Sequence, residues 1–152
     1  SYSPRKEVVE ETLPILLDKN LKVTVGGTYE KYDDLVRDLY NTKIIVVTNS
    51  LISGCVGRWP LPDGPNSHIV SYNYEALRSG ALLLSEATKP MGGILKDGIE
   101  YQSFEDAKDL INKISFFTEN LDVAERIAIA GSEKYAMMVK DQAMIHALLD
   151  RN

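Results

Sequence analysis

Ser71-Tyr-Asn-Tyr-Glu75-Ala-Leu-Arg-Ser-Gly80-Ala-Leu-Leu-Leu-Ser-Glu86 is the stretch on which the fold turns. Its first part predicts a helix, Gly80 is a residue suited to end one, and Ala81–Leu84 is a strand that is apolar on both faces. A helix start gathers phosphate at its unpaired N–H groups, because free donors and the helix dipole both favour an anion. A carboxylate one turn further in, here Glu75, can accept hydrogen bonds from neutral hydroxyls such as those of a ribose. A phosphate site beside a hydroxyl site describes a nucleotide or nucleotide-sugar pocket. The plainer reading makes Glu75 a helix-start carboxylate favoured by the dipole, with Ser71 and Asn73 as helix caps.

Upstream of this stretch, Val8, Val9, Leu13, Leu16 and Leu17 are spaced as on a helix from about Arg5 to Lys19, which Pro14 either kinks or restarts. Leu21–Val25 reads as a short strand closed by Gly26-Gly27, and Tyr32–Tyr40 as a second helix. Lys43–Thr48 is a continuous apolar run, a strand covered on both faces. Asn49–Ser67 is irregular and holds three Gly and three Pro together with Cys55, Arg58 and Trp59. A loop of that length in a compact domain is often functional.

Downstream, Met91-Gly-Gly93 and Asp97-Gly98 read as turns around a short strand Ile99–Tyr101. Ser103 and Asp106 have capping-box spacing ahead of a helix whose inner face is Ala107, Leu110, Ile111, Ile114 and Phe117. Asp122 with Glu125 repeats the start signal, Met137 and Met138 read as core or interface filler, and a last helix spans about Asp141 to Leu149. Alternating helices and strands predict an α/β fold, a Rossmann-like parallel sheet flanked by helices in a single domain over residues 1–152. Such a unit normally opens on a strand. This one opens on a helix, so the expectation is that its first strand is missing or that it borrows an edge from elsewhere.

Composition narrows the classes. The chain is 44% hydrophobic and 26% charged, with a net charge of -5, the balance of a globular protein that folds in water. No run of Lys and Arg marks a nucleic-acid face. No apolar stretch approaches the roughly 20 residues of a membrane span. Cys55 is the lone cysteine, which excludes an internal disulfide framework and fits a reducing, cytoplasmic setting. The chain carries no P-loop, no G-x-G-x-x-G, no H-E-x-x-H and no C-x-x-C motif. His68 and His146 lack ligand partners at metal spacing.

Four segments resemble the C-terminal half of GT-B glycosyltransferases: Tyr74–Leu84, Leu95-Lys-Asp-Gly-Ile-Glu-Tyr101, Ser103–Ile114 and Glu125-Arg-Ile-Ala-Ile-Ala-Gly131. The branch is the family-1-like group that includes spore-maturation-type glycosyltransferases. The resemblance is sharpest over residues 71–131 and continues more weakly from Arg5 onward. It implies one half of a GT-B fold, the half that binds the nucleotide part of a sugar donor. Glu75 stands where the family places the carboxylate that holds the ribose. Many retaining relatives carry another glutamate eight positions earlier, facing the donor sugar, and Ser67 stands there in this chain. Ser71 and Asn73 at the helix start, Arg58 in the loop and Arg5 near the missing first strand complete the candidate nucleotide-binding set.

The resemblance further implies a nucleoside-diphosphate sugar as substrate, with no cofactor and no metal required. It also implies an N-terminal acceptor-binding domain, supplied in cis or on another chain. The chain begins at Ser1 rather than Met, as a fragment or a trimmed polypeptide would. By itself it is expected to transfer no sugar, and to self-associate as a homo-oligomer through an unpaired sheet edge. The competing reading is a non-catalytic Rossmann-like module acting in binding or assembly.

Overall fold

The computed structural model of the chain describes residues 6–21, 31–48, 71–87 and 89–150. Helix α1 (Lys6–Asp18) runs through Pro14 without a restart. Helix α2 (Tyr32–Tyr40) leads into strand β1 (Ile44–Val47). Then come helix α3 (Ser71–Ser79), strand β2 (Leu82–Glu86), the short helix α4 (Lys89–Gly92) and strand β3 (Gln102–Phe104). Helices α5 (Ala107–Glu119) and α6 (Leu121–Asp150) close the order. The expected strand Leu21–Val25 lies outside the described residues, apart from Leu21.

The three described strands form one parallel sheet in the order β1-β2-β3. Strand β2 is buried along its whole length, because both faces of the sheet are covered. On one face Leu82 and Leu84 pack with Leu16 of α1, Phe104, Leu110, Ile114 and Phe117 of β3 and α5, and Ala124, Ile127 and Ala128 of α6. On the other face Leu83 packs with Leu39, Ile45, Val47, Ala76, Leu77, Met91, Leu95 and Tyr101. A continuous apolar strand with two covered faces is the parallel-sheet solution expected from the sequence.

Gly80 has φ +82, and its N–H donates to the Leu77 carbonyl at 3.2 Å, so it ends α3 in the left-handed conformation glycine accepts at little cost. Gly131 serves another purpose. A Cβ there would fall on the carbonyl oxygen of Glu100 and lie 2.9 Å from Leu77 Cδ2, so the glycine lets α6 touch both α3 and the loop before β3.

Several sequence expectations are corrected. The strand placed at Ile99–Tyr101 forms at Gln102–Phe104, and Tyr101 contributes only an isolated bridge to Asp97. Met91 is part of helix α4 and is buried, rather than marking a Gly-rich turn. Ser103 does not cap α5. Its backbone N–H and hydroxyl both donate to the Asp97 carboxylate, at 2.8 and 2.6 Å, which ties β3 to the Asp97-Gly98 turn. Asp106 is the cap, its Oδ1 accepting from the Asp109 N–H at 2.7 Å. The two helices expected after Asp122 are one continuous helix of 30 residues. Beyond Tyr135 that helix has no buried residue as far as Met144, and Met137 is 60% exposed, so it is not core filler.

Candidate functional site

In an open parallel α/β sheet, ligands bind in the crevice beyond the carboxyl ends of the strands. Here that edge gathers Thr48 directly after β1, Ser85 and Glu86 at the end of β2, and the start of α3. Helix α3 begins at this edge because the connection from its end at Ser79 to Leu82 is tight, which sets its C-terminus beside the start of β2. Its inner face is Asn73, Ala76 and Leu77, all buried.

Asn73 stands inside the helix rather than at its cap. Its Oδ1 accepts a hydrogen bond from the Ser85 hydroxyl at 3.0 Å, and both side chains are buried. The pair clamps the first turn of α3 to the end of β2. A buried polar side chain is costly unless it is hydrogen-bonded, and this bond fixes where the first turn of α3 sits relative to the strand ends.

Glu75 lies in the second turn of α3, half-buried, away from the Asn73 face. Arg78 follows it by three residues on an exposed flank. The Arg78 guanidinium is held above its ordinary pKa by Tyr32 first, then by Glu75 and Tyr40. Arg78 thus lies near the Glu75 carboxylate of its own helix and near Tyr32 and Tyr40, the two ends of α2.

Glu86 is 1% exposed at the end of the all-leucine row of β2. The β1–β2 register ends with Val47 opposite Ser85, and Thr48 and Glu86 are the residues that follow; Glu86 pairs with Phe104 of β3. Thr48 is buried as well. The pleat sets Ser85 on the α3 side of the sheet and continues the Leu82–Leu84 row into Glu86 on the other side. Sequence reasoning gave Thr48 and Glu86 no role of their own. Their signal was a polar residue closing each of two apolar runs.

Of the candidate residues named from sequence, Glu75 and Asn73 share α3, where Ser71 is the first residue; the Ser71 side chain lies outside the described residues. Arg5, Arg58 and Ser67 lie outside them too. Among the described residues no three His, Cys, Asp or Glu side chains gather as a metal site. None of the described helices is long and apolar enough to cross a membrane.

Residues 6–148 match the model of a family described as glycosyl transferase-like. None of the curated proteins matches the chain. Among solved structures, the chain is similar to Anabaena HepE in complex with UDP, with a TM-score of 0.60 at 15% identity over 97% of this chain and 36% of that one. The complex of the same protein with UDP and glucose gives a TM-score of 0.61 at 13% identity, over 97% and 37% of the two chains. Sucrose-phosphate synthase from Thermosynechococcus elongatus gives 0.55 at 15% identity, over 92% and 34%. The chain thus spans about a third of the length of the solved structures it matches.

Proposed function

The chain belongs to the glycosyl transferase-like family, and from that membership we propose that it is the donor-binding part of a glycosyltransferase. The observation that carries this reading is the family match over residues 6–148, nearly the whole chain. The parallel sheet, with a helix start and polar strand ends gathered at its carboxyl edge, agrees with it.

In this proposal the nucleoside diphosphate of a sugar donor lies across that edge. The first N–H groups of α3 face the diphosphate, and Glu75 accepts hydrogen bonds from the ribose hydroxyls. Ser71, Arg58 and Arg5 serve the diphosphate, and Ser67 borders the donor sugar. When the sugar leaves, negative charge collects on the diphosphate. Donors already aimed at it stabilise that charge without reorganising, so this arrangement does not require a metal. The acceptor and the residues that activate it belong to a second domain in cis or on another chain.

A thermal-shift panel with UDP, GDP, ADP and inorganic phosphate tests the reading. A ligand that binds only the native state raises its stability by mass action. A nucleoside diphosphate at about a hundredfold excess over its Kd should raise Tm by roughly 5–10 °C. A panel in which no nucleoside diphosphate shifts Tm refutes donor binding.

A further inference from the structure

We infer that Asp97-Gly98 is a site of backbone self-modification, cyclisation to a succinimide and opening to isoaspartate, which strand β3 holds closed in the folded chain. The inference is independent of the donor-binding reading. An aspartate followed by glycine is the sequence most open to this chemistry, because glycine sets no side chain beside the attacking nitrogen. The Gly98 amide nitrogen adds to the Asp97 Cγ. The amide proton and a hydroxyl of the protonated carboxyl leave as water, and a five-membered ring closes. Water then opens the ring at either carbonyl. One opening restores aspartate. The other leaves the main chain running through the Asp97 side chain, one methylene longer. Water is the only co-reactant.

The turn itself calls for the glycine. Gly98 has φ +77, inside a turn closed by the Ile99 N–H donating to the Lys96 carbonyl at 3.2 Å, and glycine takes that conformation at little cost. Asp97, Gly98 and Ile99 are exposed, so water reaches them. Two features of the fold oppose the reaction that this sequence invites. The nucleophile is engaged, since the Gly98 N–H donates to the Tyr101 carbonyl at 2.8 Å. The electrophile is held as well. Asp97 Oδ1 accepts from the Ser103 N–H at 2.8 Å and from Gln102 Nε2 at 3.4 Å, while Oδ2 accepts from the Ser103 hydroxyl at 2.6 Å. Ring closure needs the two atoms in contact and aligned, so the carboxylate must first leave Ser103. Ser103 is fixed in turn, buried in β3 and paired with Ser85 of β2. The extra methylene would also shift the segment that carries the Glu100 carbonyl against Gly131 and Tyr101 into the core.

The test incubates the full chain at neutral pH and body temperature as wild type, Ser103→Ala and Ser103→Thr, beside a synthetic peptide of residues 95–104. Isoaspartate at position 97 is measured by electron-transfer fragmentation of a proteolytic peptide that spans it. Reaction in the folded chain waits on local opening, so wild type should form isoaspartate at least about tenfold more slowly than the peptide. Ser103→Ala, shown to be folded by circular dichroism, loses one bond to the carboxylate and should react about threefold or more faster than wild type. Ser103→Thr keeps the hydroxyl and should stay with wild type. Wild type reacting at the peptide rate overturns the inference. So does a folded Ser103→Ala that reacts no faster than wild type, or a Ser103→Thr that reacts as fast as Ser103→Ala. If Ser103→Ala does not fold, Asp97→Asn decides, because its ring closure expels ammonia while its Oδ1 can still accept from the Ser103 N–H. It should lose ammonia more slowly in the folded chain than in the matching peptide, and equal rates overturn the inference.

Discussion

Glu75 and Tyr101 are the two titratable residues whose chemistry leads most directly to measurement. If Glu75 holds a ribose, Glu75→Gln should weaken UDP binding about tenfold or more, since a hydrogen bond to a charged group is worth about 1.5–3 kcal/mol. Binding of inorganic phosphate should stay the same or tighten, because a nearby negative charge is removed. A carboxylate that only complements the helix dipole would instead cost a few tenths to about 1 kcal/mol of stability on neutralisation, with no preference among ligands. Titrating both proteins with UDP and with phosphate separates the two, and equal UDP affinities would remove the ribose role. Tyr101 is almost fully buried. Burial first, and then the nearby Asp97 carboxylate, push its phenol up to about 12 from an ordinary value of 10.0. A pKa raised in the folded state means the folded chain holds the proton more tightly. The contribution is therefore complete below pH 10 and is lost as the pH rises through 12. Tyr101→Phe has no such proton to lose. Denaturant unfolding between pH 9 and pH 12 should show wild type losing stability more steeply than the variant, and parallel slopes would refute the assignment.

Helix α6 shows what a single backbone position decides for an element. Alanine is the better helix former by about 1 kcal/mol, so by propensity alone Gly131→Ala should stabilise. At this position the added methyl meets the Glu100 carbonyl and Leu77 Cδ2. The first of these is backbone and yields little. Overpacking typically costs about 1–3 kcal/mol, so the variant should be less stable than wild type, with a lower urea midpoint and an unchanged m-value. A higher midpoint would show that α6 can move away from α3 freely. Gly131 also marks how far the sequence was legible. It was read as the end of a recurring Arg-Ile-Ala-Ile-Ala-Gly pattern, but its physical reason needed the three-dimensional neighbour, Glu100. The element types of α2, β1, α3, β2 and α5 could be read from apolar spacing, because each buries a continuous or one-sided stripe. Errors arose where a polar residue had two local uses. Ser103 has the spacing of a cap, yet its hydroxyl goes to Asp97, and Asp106 takes the capping role. Asp122 resembles a start signal and lies in the first turn of α6, but nothing in the sequence showed that this helix would continue unbroken to Asp150. Of the candidate site, the sequence marked the start of α3 and Glu75 and named Asn73 as a cap or phosphate contact. The hydrogen bond of Asn73 to Ser85 was not legible, because it comes from the packing of α3 on β2 rather than from neighbours in sequence.

In the molecule as a whole, if the chain is the donor-binding part proposed above, binding the donor and transferring its sugar are separable tasks. Strand β2 joins the two cores, one on each face of the sheet, and among the described residues the polar strand ends and the start of α3 gather at its carboxyl edge. Such an edge can fix the leaving diphosphate and one side of the donor. Transfer also requires an acceptor hydroxyl held in line with the breaking sugar–oxygen bond, and a site from which bulk water is kept out. Both conditions call for a surface that faces the edge from outside. In the GT-B arrangement that surface is the second domain, and this chain spans about a third of the length of the solved structures it matches. On the proposed reading, the 152-residue chain alone is therefore expected to bind a nucleoside-diphosphate sugar without passing the sugar to an acceptor. A coupled assay for UDP release, run with UDP-glucose and a mixture of hydroxylated acceptors, should stay at the rate measured without protein. Acceptor-dependent UDP release by the purified polypeptide, together with a glucosylated product, would show that these residues hold the acceptor side as well. The reacting hydroxyl would then have to be activated from within the same α/β layer.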